Sequence, residues 1–156
     1  MRFLADEMVF RLARLLRAAG YDTYLAAGGQ GDSELLEIAR AENRILLTRD
    51  KALAARAHPR AVLIGGRGVE AEAQALSAML PIDWKLAPFS RCVVDNAPLR
   101  DATAEEQARM PPEAVEMGGP FRACPACGRA YWPGSHVRRM TERLAVLAQM
   151  PPQALL

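Results

Sequence analysis

Seven residues carry the chemistry this sequence could perform, and they fall into two sets. The first is built on Cys124-Pro-Ala-Cys127-Gly128. Two thiols two residues apart, followed by a glycine turn, form half of a tetrahedral zinc site, because the turn presents both thiolates to one ion. The only other cysteine is Cys92, and three residues after it, where a partner thiol belongs, stands Asp95. Carboxylate oxygen is a legitimate zinc ligand, though shorter and harder than sulfur. Either one zinc ion sits among Cys92, Asp95, Cys124 and Cys127, or the module has lost its metal and folds by core packing with its thiols reduced. A third option recruits His136, nine residues past Cys127 and outside the usual spacing. His58 precedes Pro59 in a loop and reads as surface.

The second set is Asp6, Asp32 and Asp50. Each follows a predicted strand or opens the helix after one, and in an open parallel sheet chemistry collects beyond the carboxyl ends of the strands. Three carboxylates converging there without basic partners repel one another. A divalent cation relieves that repulsion, and hard oxygen ligands suit Mg²⁺ or Mn²⁺. Simpler roles compete with this one. Asp32 and Asp50 can each cap a helix, whereas Asp6, directly after a strand, has no obvious structural reason. Glu7 reads as a solvated first-turn residue and Asp22 as structural. Glu70 or Glu72 could supply a fourth ligand, and Thr48 could orient Asp50 or a metal-bound water.

These residues need a frame to bring them together. "MRFL", "YDTYLA", "RILLT" and "AVLIG" read as strands, separated by helical patterns over 6–19, 32–42, 50–57 and 69–80. "RILLT" has the unbroken apolar character of a strand buried on both faces. Strands joined by helices imply right-handed crossovers and an α/β sheet. "PIDWKLAPFSR" reads as a Pro-bearing linker. Beyond it lies a small module whose two knuckles flank an acidic, helical insert near 103–117. A basic helix over 137–149 follows, ended by Pro151 and Pro152.

Composition narrows the class. The chain has 156 residues, 51% hydrophobic and 24% charged, with a net charge of +2. That is an ordinary soluble profile, without an apolar run long enough for a membrane span. The acidic pair in "MRFLADEMVF" argues against a signal peptide. Three cysteines, two in metal-type spacing, point to a reducing, cytoplasmic compartment. Basic charge gathers late, at Arg122, Arg129, Arg138, Arg139 and Arg143. Tyr131, Trp132 and His136 lie among these arginines. Aromatics amid Arg hold single-stranded nucleic acid by stacking and phosphate charge, so Arg129, Tyr131, Trp132, His136, Arg138 and Arg139 form a candidate RNA-binding set. The alternative is that Tyr131 and Trp132 are the core of a small module that needs its aromatics.

The strings "LADEMVFRLARLLRAAGYDT", "GDSELLEIARAENRILLTRDKAL", "FSRC" and "CPACGRAYWPGSHVRRM" occur in the order seen in the Mut-seven C-terminal ribonuclease family. The chain resembles that family over about residues 1–143. The resemblance implies a PIN-like nuclease domain over 1–80, a linker over 81–91, a zinc-ribbon-like module over 92–143 and a helix end and tail over 144–156. It matches Asp6, Asp32 and Asp50 to the family's acidic positions. It also implies a second cysteine before Asn96, where this chain has Asp95. The expected function is metal-dependent hydrolysis of RNA. The alternative is an RNA- or ribosome-binding adaptor with a vestigial acidic cluster. A phosphoacceptor receiver domain is disfavoured, because neither Lys51 nor Lys85 is placed for it.

Overall fold

Phe3, Leu4 and Ala5 form an unbroken apolar run after Arg2, and β1 (Arg2–Ala5) is accordingly an inner strand with those three residues fully buried. The computed structural model describes residues 1–150 of the chain, so Pro151 and Pro152 lie outside the described residues. Strands β2 (Asp22–Leu25), β3 (Ile45–Thr48) and β4 (Ala61–Leu63) complete a four-stranded sheet in the order β2-β1-β3-β4, all parallel.

Side-chain alternation along the inner strands divides the core. Phe3, Ala5 and Leu47 face α1 (Phe10–Ala19) and α4 (Val69–Met79). Leu4 and Leu46 face α2 (Asp32–Ala41) and α3 (Lys51–Ala57). Leu12, Leu15 and Leu16 of α1 are at most 1% exposed, each contributing roughly 1.5–3 kcal/mol by leaving water. The chain passes outward from β1 to β2 through α1, then returns past β1 to β3 through α2, on the other face. The winding therefore reverses between β1 and β3, and a crevice opens beyond their carboxyl ends.

The helix expected from Asp6 onward begins as a 3-10 turn (Glu7–Val9) before α1 takes over. At the other end of α1, Gly20 has φ 104°, and a Cβ there would lie 2.6 Å from the Ala87 carbonyl oxygen. The bare glycine lets segment 81–91 lie against the helix end. That segment is packed rather than free: Trp84 is 1% exposed and donates its Nε1–H to Ser77, while the Ala87 and Phe89 N–H groups bond to Ala19 and Ala18.

Beyond it, β5 (Arg100–Asp101), β6 (Arg122–Ala123) and β7 (Ala130–Tyr131) form a small antiparallel sheet. The acidic insert folds as two short helices, α5 (Ala104–Ala108), opened by a Thr103/Glu106 capping box, and α6 (Pro112–Glu116). Helix α7 (Ser135–Gln149) starts two residues earlier than its sequence pattern suggests and packs on α1 and α4 through Leu144 and Leu147. One apolar cluster runs from Phe3 and Leu12 to Cys92, Cys124, Tyr131 and Leu144, so the two modules share a continuous core. No helix among the described residues is long and apolar enough to cross a membrane.

Candidate functional site

Two candidate sites occupy opposite ends of the parallel sheet. At the carboxyl end, Asp6, Asp32 and Asp50 line one cavity of about 150 Å³, together with Glu7, Met8 and Gln30. Asp6 is buried. One of its carboxylate oxygens accepts the Met8 N–H at 2.8 Å and the other accepts the Thr48 hydroxyl. It therefore has the structural role its sequence position did not disclose, as cap of the 3-10 turn. Thr48 accepts the Asp50 N–H at 2.9 Å, so this one buried hydroxyl ties together the ends of β1 and β3. Asp50 caps α3 as expected, its Oδ1 accepting from Ala52 at 2.7 Å and Leu53 at 3.0 Å; its Oδ2 stands outside those bonds.

Asp32 differs from its sequence reading in two ways. Gly31, not Asp32, is the N-cap of α2. Its carboxylate also has a basic partner, Arg56 at 3.0 Å, where a cluster without cations was expected. Sequence distance hid that pairing, which arises because α2 and α3 lie on the same face. Glu70 and Glu72 are committed elsewhere, to Arg143 at 3.0 Å and Arg49 at 3.1 Å. The cavity is open rather than a closed ligand cage. Among the described residues, the one cluster whose ligand atoms all fall within 4.8 Å of one another is the other site.

That site is Cys92, Asp95, Cys124 and Cys127. The two knuckles are built alike. In each, a ladder bond follows the leading cysteine: Cys92 N–H to Ala97 at 2.8 Å, and Cys124 N–H to Arg129 at 2.9 Å. In each, the residue after the fourth position returns its N–H to that cysteine and has positive φ, 70° at Asn96 and 73° at Gly128. Asn is the side-chain-bearing residue that best tolerates this conformation. Tetrahedral ligation with Zn–S bonds of roughly 2.3 Å puts two sulfurs about 3.8 Å apart. Cys92 and Cys127 are separated by 3.8 Å, and Cys124 lies 3.2 and 3.3 Å from the two Asp95 oxygens.

The electrostatics fit a cation. Partial burial pushes the Asp95 carboxyl upward, but the Ala97 N–H and the three thiols outweigh it and hold it at about 2. Cys127 is drawn down by the backbone at Arg129, yet desolvation and the adjoining Asp95, Cys124 and Cys92 outweigh that and push its thiol up to about 12. The Cys127 thiol is thus kept protonated beside the Asp95 carboxylate, and a divalent ion reverses that balance. These four residues can hold a metal such as zinc. His136 is not among them; it is exposed on the first turn of α7.

The candidate RNA-binding residues separate by burial. Tyr131 is 5% exposed, and its hydroxyl lies 3.1 Å from the Cys92 sulfur while accepting the Val93 N–H at 3.1 Å. Its ring belongs to the ribbon core and is not offered to a base. Trp132 is half-buried, and Arg129, His136, Arg138 and Arg139 are exposed.

Sequence reasoning missed the polar latch between the modules. Asn96 accepts the Thr23 N–H at 2.9 Å and donates to Asp22 at 2.7 Å, at the outer edge of β2. Buried Arg17 bonds the carbonyls of Thr23, Val93 and Val94. Arg2 and Arg44 complete the set at Asp22, 2.9 and 2.8 Å away. The family resemblance singled out Asn96 as the residue after the first knuckle, but nothing in the sequence disclosed its bonds to Thr23 and Asp22.

A parallel α/β sheet with carboxylates at its switch point, followed by a small antiparallel sheet whose four-residue Cys/Asp cluster can hold a metal, defines the class. The model of the Mut7-C RNAse domain family matches residues 1–144, and the chain belongs to that family. No curated protein and no solved structure matches it.

Proposed function

We propose that the protein is a metal-dependent ribonuclease whose PIN-like catalytic unit holds Mg²⁺ or Mn²⁺ at Asp6, Asp32 and Asp50. The observation that carries this reading is the convergence of three carboxylates from three separate elements on one cavity, in a chain of the Mut7-C RNAse domain family. The width of the cavity is compatible with it. Mg²⁺ keeps several waters and takes one or two carboxylates together with substrate phosphate, so the three groups need not touch one ion directly.

The roles of the chain's own residues follow from their hydrogen bonds. Thr48 and the Met8 N–H hold the Asp6 carboxylate in one orientation. The first turn of α3 holds Asp50 by one oxygen and leaves the other outside those bonds, in a residue that lines the cavity. Arg56 pairs with Asp32 at the cavity lining. A bound metal ion here supplies Lewis acidity, activating water and offsetting charge on a phosphodiester. In the ribbon, zinc at Cys92, Asp95, Cys124 and Cys127 has a structural role, and the exposed Arg129, His136, Arg138 and Arg139 with Trp132 contact RNA.

The Arg56–Asp32 pair favours a second reading, a non-catalytic RNA- or ribosome-binding adaptor, since a carboxylate neutralised by arginine has less need of a cation. Mn²⁺ binding separates the two. Titration followed by electron paramagnetic resonance is expected to find saturable Mn²⁺ binding that Asp50→Asn weakens by at least about tenfold, given that even outer-shell changes cost 10–100-fold. Absence of Mn²⁺ binding by the parent protein would favour the adaptor.

A further inference from the structure

A cavity larger than the acidic one lies away from the carboxylates. About 400 Å³ of space opens between α6, β7 and the first turn of α7. Its lining is mainly apolar, with Met117, Trp132 and Val137, and includes the exposed Arg129 and Arg138 against a single carboxylate, Glu113. Trp132 also lines a smaller cleft of about 180 Å³ beside Pro88 and Phe89, so the indole is a wall shared by two openings. It is held close to the backbone: a Cβ on Gly134 would lie 2.7 Å from Trp132 Nε1. Met117 is 52% exposed, with its thioether chain available to a ligand.

An apolar lining beside exposed arginines suits a molecule with a flat apolar body and a negative charge. An unpaired nucleotide has both. A duplex hides its bases and offers only phosphates. The volume falls within the roughly 300–1,000 Å³ typical of small-ligand sites, and aromatic walls beside arginines are how single strands are held without sequence reading. Position adds a constraint. Val93 of the first knuckle lines the groove, and that knuckle is latched at Asp22 and Thr23, the amino end of β2. The acidic cavity lies beyond the carboxyl ends of the same sheet.

We propose that this groove seats one unpaired nucleotide of single-stranded RNA at a fixed remove from the acidic cavity, so that only strands long enough to reach both sites gain from it. The proposal rests on the ribonuclease reading for the identity of the polymer. The test is fluorescence anisotropy with oligouridines from trimer to pentadecamer and with a duplex, in the full-length Asp50→Asn protein, which is expected to bind without cutting. Affinity is expected to rise steeply at the length that bridges both sites. Met117→Glu, which places a carboxylate in the groove lining, and Trp132→Ala are each expected to abolish that rise. Each should weaken the longest strand about tenfold, the effect of one base stacked on an aromatic side chain. Melting temperature and zinc content identify variants that remain folded; should Trp132→Ala lose its fold, Met117→Glu on the exposed helix end stands alone. Folded variants that bind the long strand like their parent would overturn the proposal, as would a duplex that competes as well as the single strand. If the groove alone fails, the otherwise unmutated protein still cuts RNA. If the ribonuclease reading alone fails, that protein does not cut, while the groove variants still lose strand binding.

Discussion

Asp95 stands where a four-thiolate ribbon would carry its last sulfur, and its carboxylate faces Cys124 at bonding range for a shared ion. If the site holds zinc, Asp95→Cys restores four sulfurs and raises zinc affinity, whereas Asp95→Ala leaves an open position for water. Second-shell changes alone cost 10–100-fold in metal affinity, so loss of this direct ligand should cost at least about that much. Competition with a chromophoric chelator measures both variants, and equal affinity of parent and Asp95→Ala would remove the carboxylate from the site. At the other end of the sheet, Thr48 is the residue on which the acid pair depends. Thr48→Val removes the hydroxyl from the buried Asp6 carboxylate and leaves the part-buried Asp50 N–H without its acceptor, at a cost of about 1–3 kcal/mol. Thr48→Ser keeps both bonds and should retain stability and cleavage, with urea melts and initial rates as the readouts. Asp50 was legible from sequence because "LLTRD" sets a cap directly after a buried strand. The Arg56 partner of Asp32 was not, because neither residue's local pattern encodes the packing of two helices on one face.

At the scale of elements, the ribbon is docked by charge as well as by apolar contact. Asp22 sits at the centre of that docking. Partial burial pushes its carboxyl upward, but hydrogen bonds from Arg44, Asn96 and Arg2 outweigh it and hold the group well below the usual carboxylate range. A carboxyl depressed in the folded state adds stability that is present in full above its unfolded value, near 3.8, and is lost as pH falls toward the folded value. Stability should therefore decline below about pH 4. Asp22→Asn should be less stable than the parent by about 1–2 kcal/mol at pH 7 and should lose less between pH 4 and pH 2. Denaturant melts across that range check the sign, and parallel profiles for the two proteins would refute the latch. The parallel strands and their helices could be read from periodicity, to within a residue or two at most ends. The small sheet of β5, β6 and β7 could not, since two-residue strands carry no period. The packing of segment 81–91 was also hidden, because its prolines read as a linker while Trp84 is in fact core.

Across the whole molecule, one core joins a carboxylate edge to a ribbon, with α7 spanning the face formed by α1 and α4. The charge pattern seen in the sequence survives folding in Arg129, Arg138 and Arg139, which stay exposed, while Tyr131 leaves the candidate RNA surface for the core. An aromatic among arginines looks the same in sequence whether it stacks on a base or closes a ribbon, and only burial separates the cases. The central claim is that the edge formed by Asp6, Asp32 and Asp50 cuts RNA with the help of a divalent ion. Asp50→Asn is the informative variant, because its remaining carbonyl oxygen still accepts from Ala52 and Leu53 and the cap persists. The decisive measurement is single-turnover cleavage of a labelled single-stranded RNA pool by protein freed of Mg²⁺ and Mn²⁺, before and after Mn²⁺ is restored, beside Asp50→Asn at equal melting temperature. Cleavage should appear only with metal and fall at least about a hundredfold in the variant, the loss of several kcal/mol of metal-borne stabilisation. Cleavage that persists without metal, or at the parental rate in Asp50→Asn, would contradict the assignment.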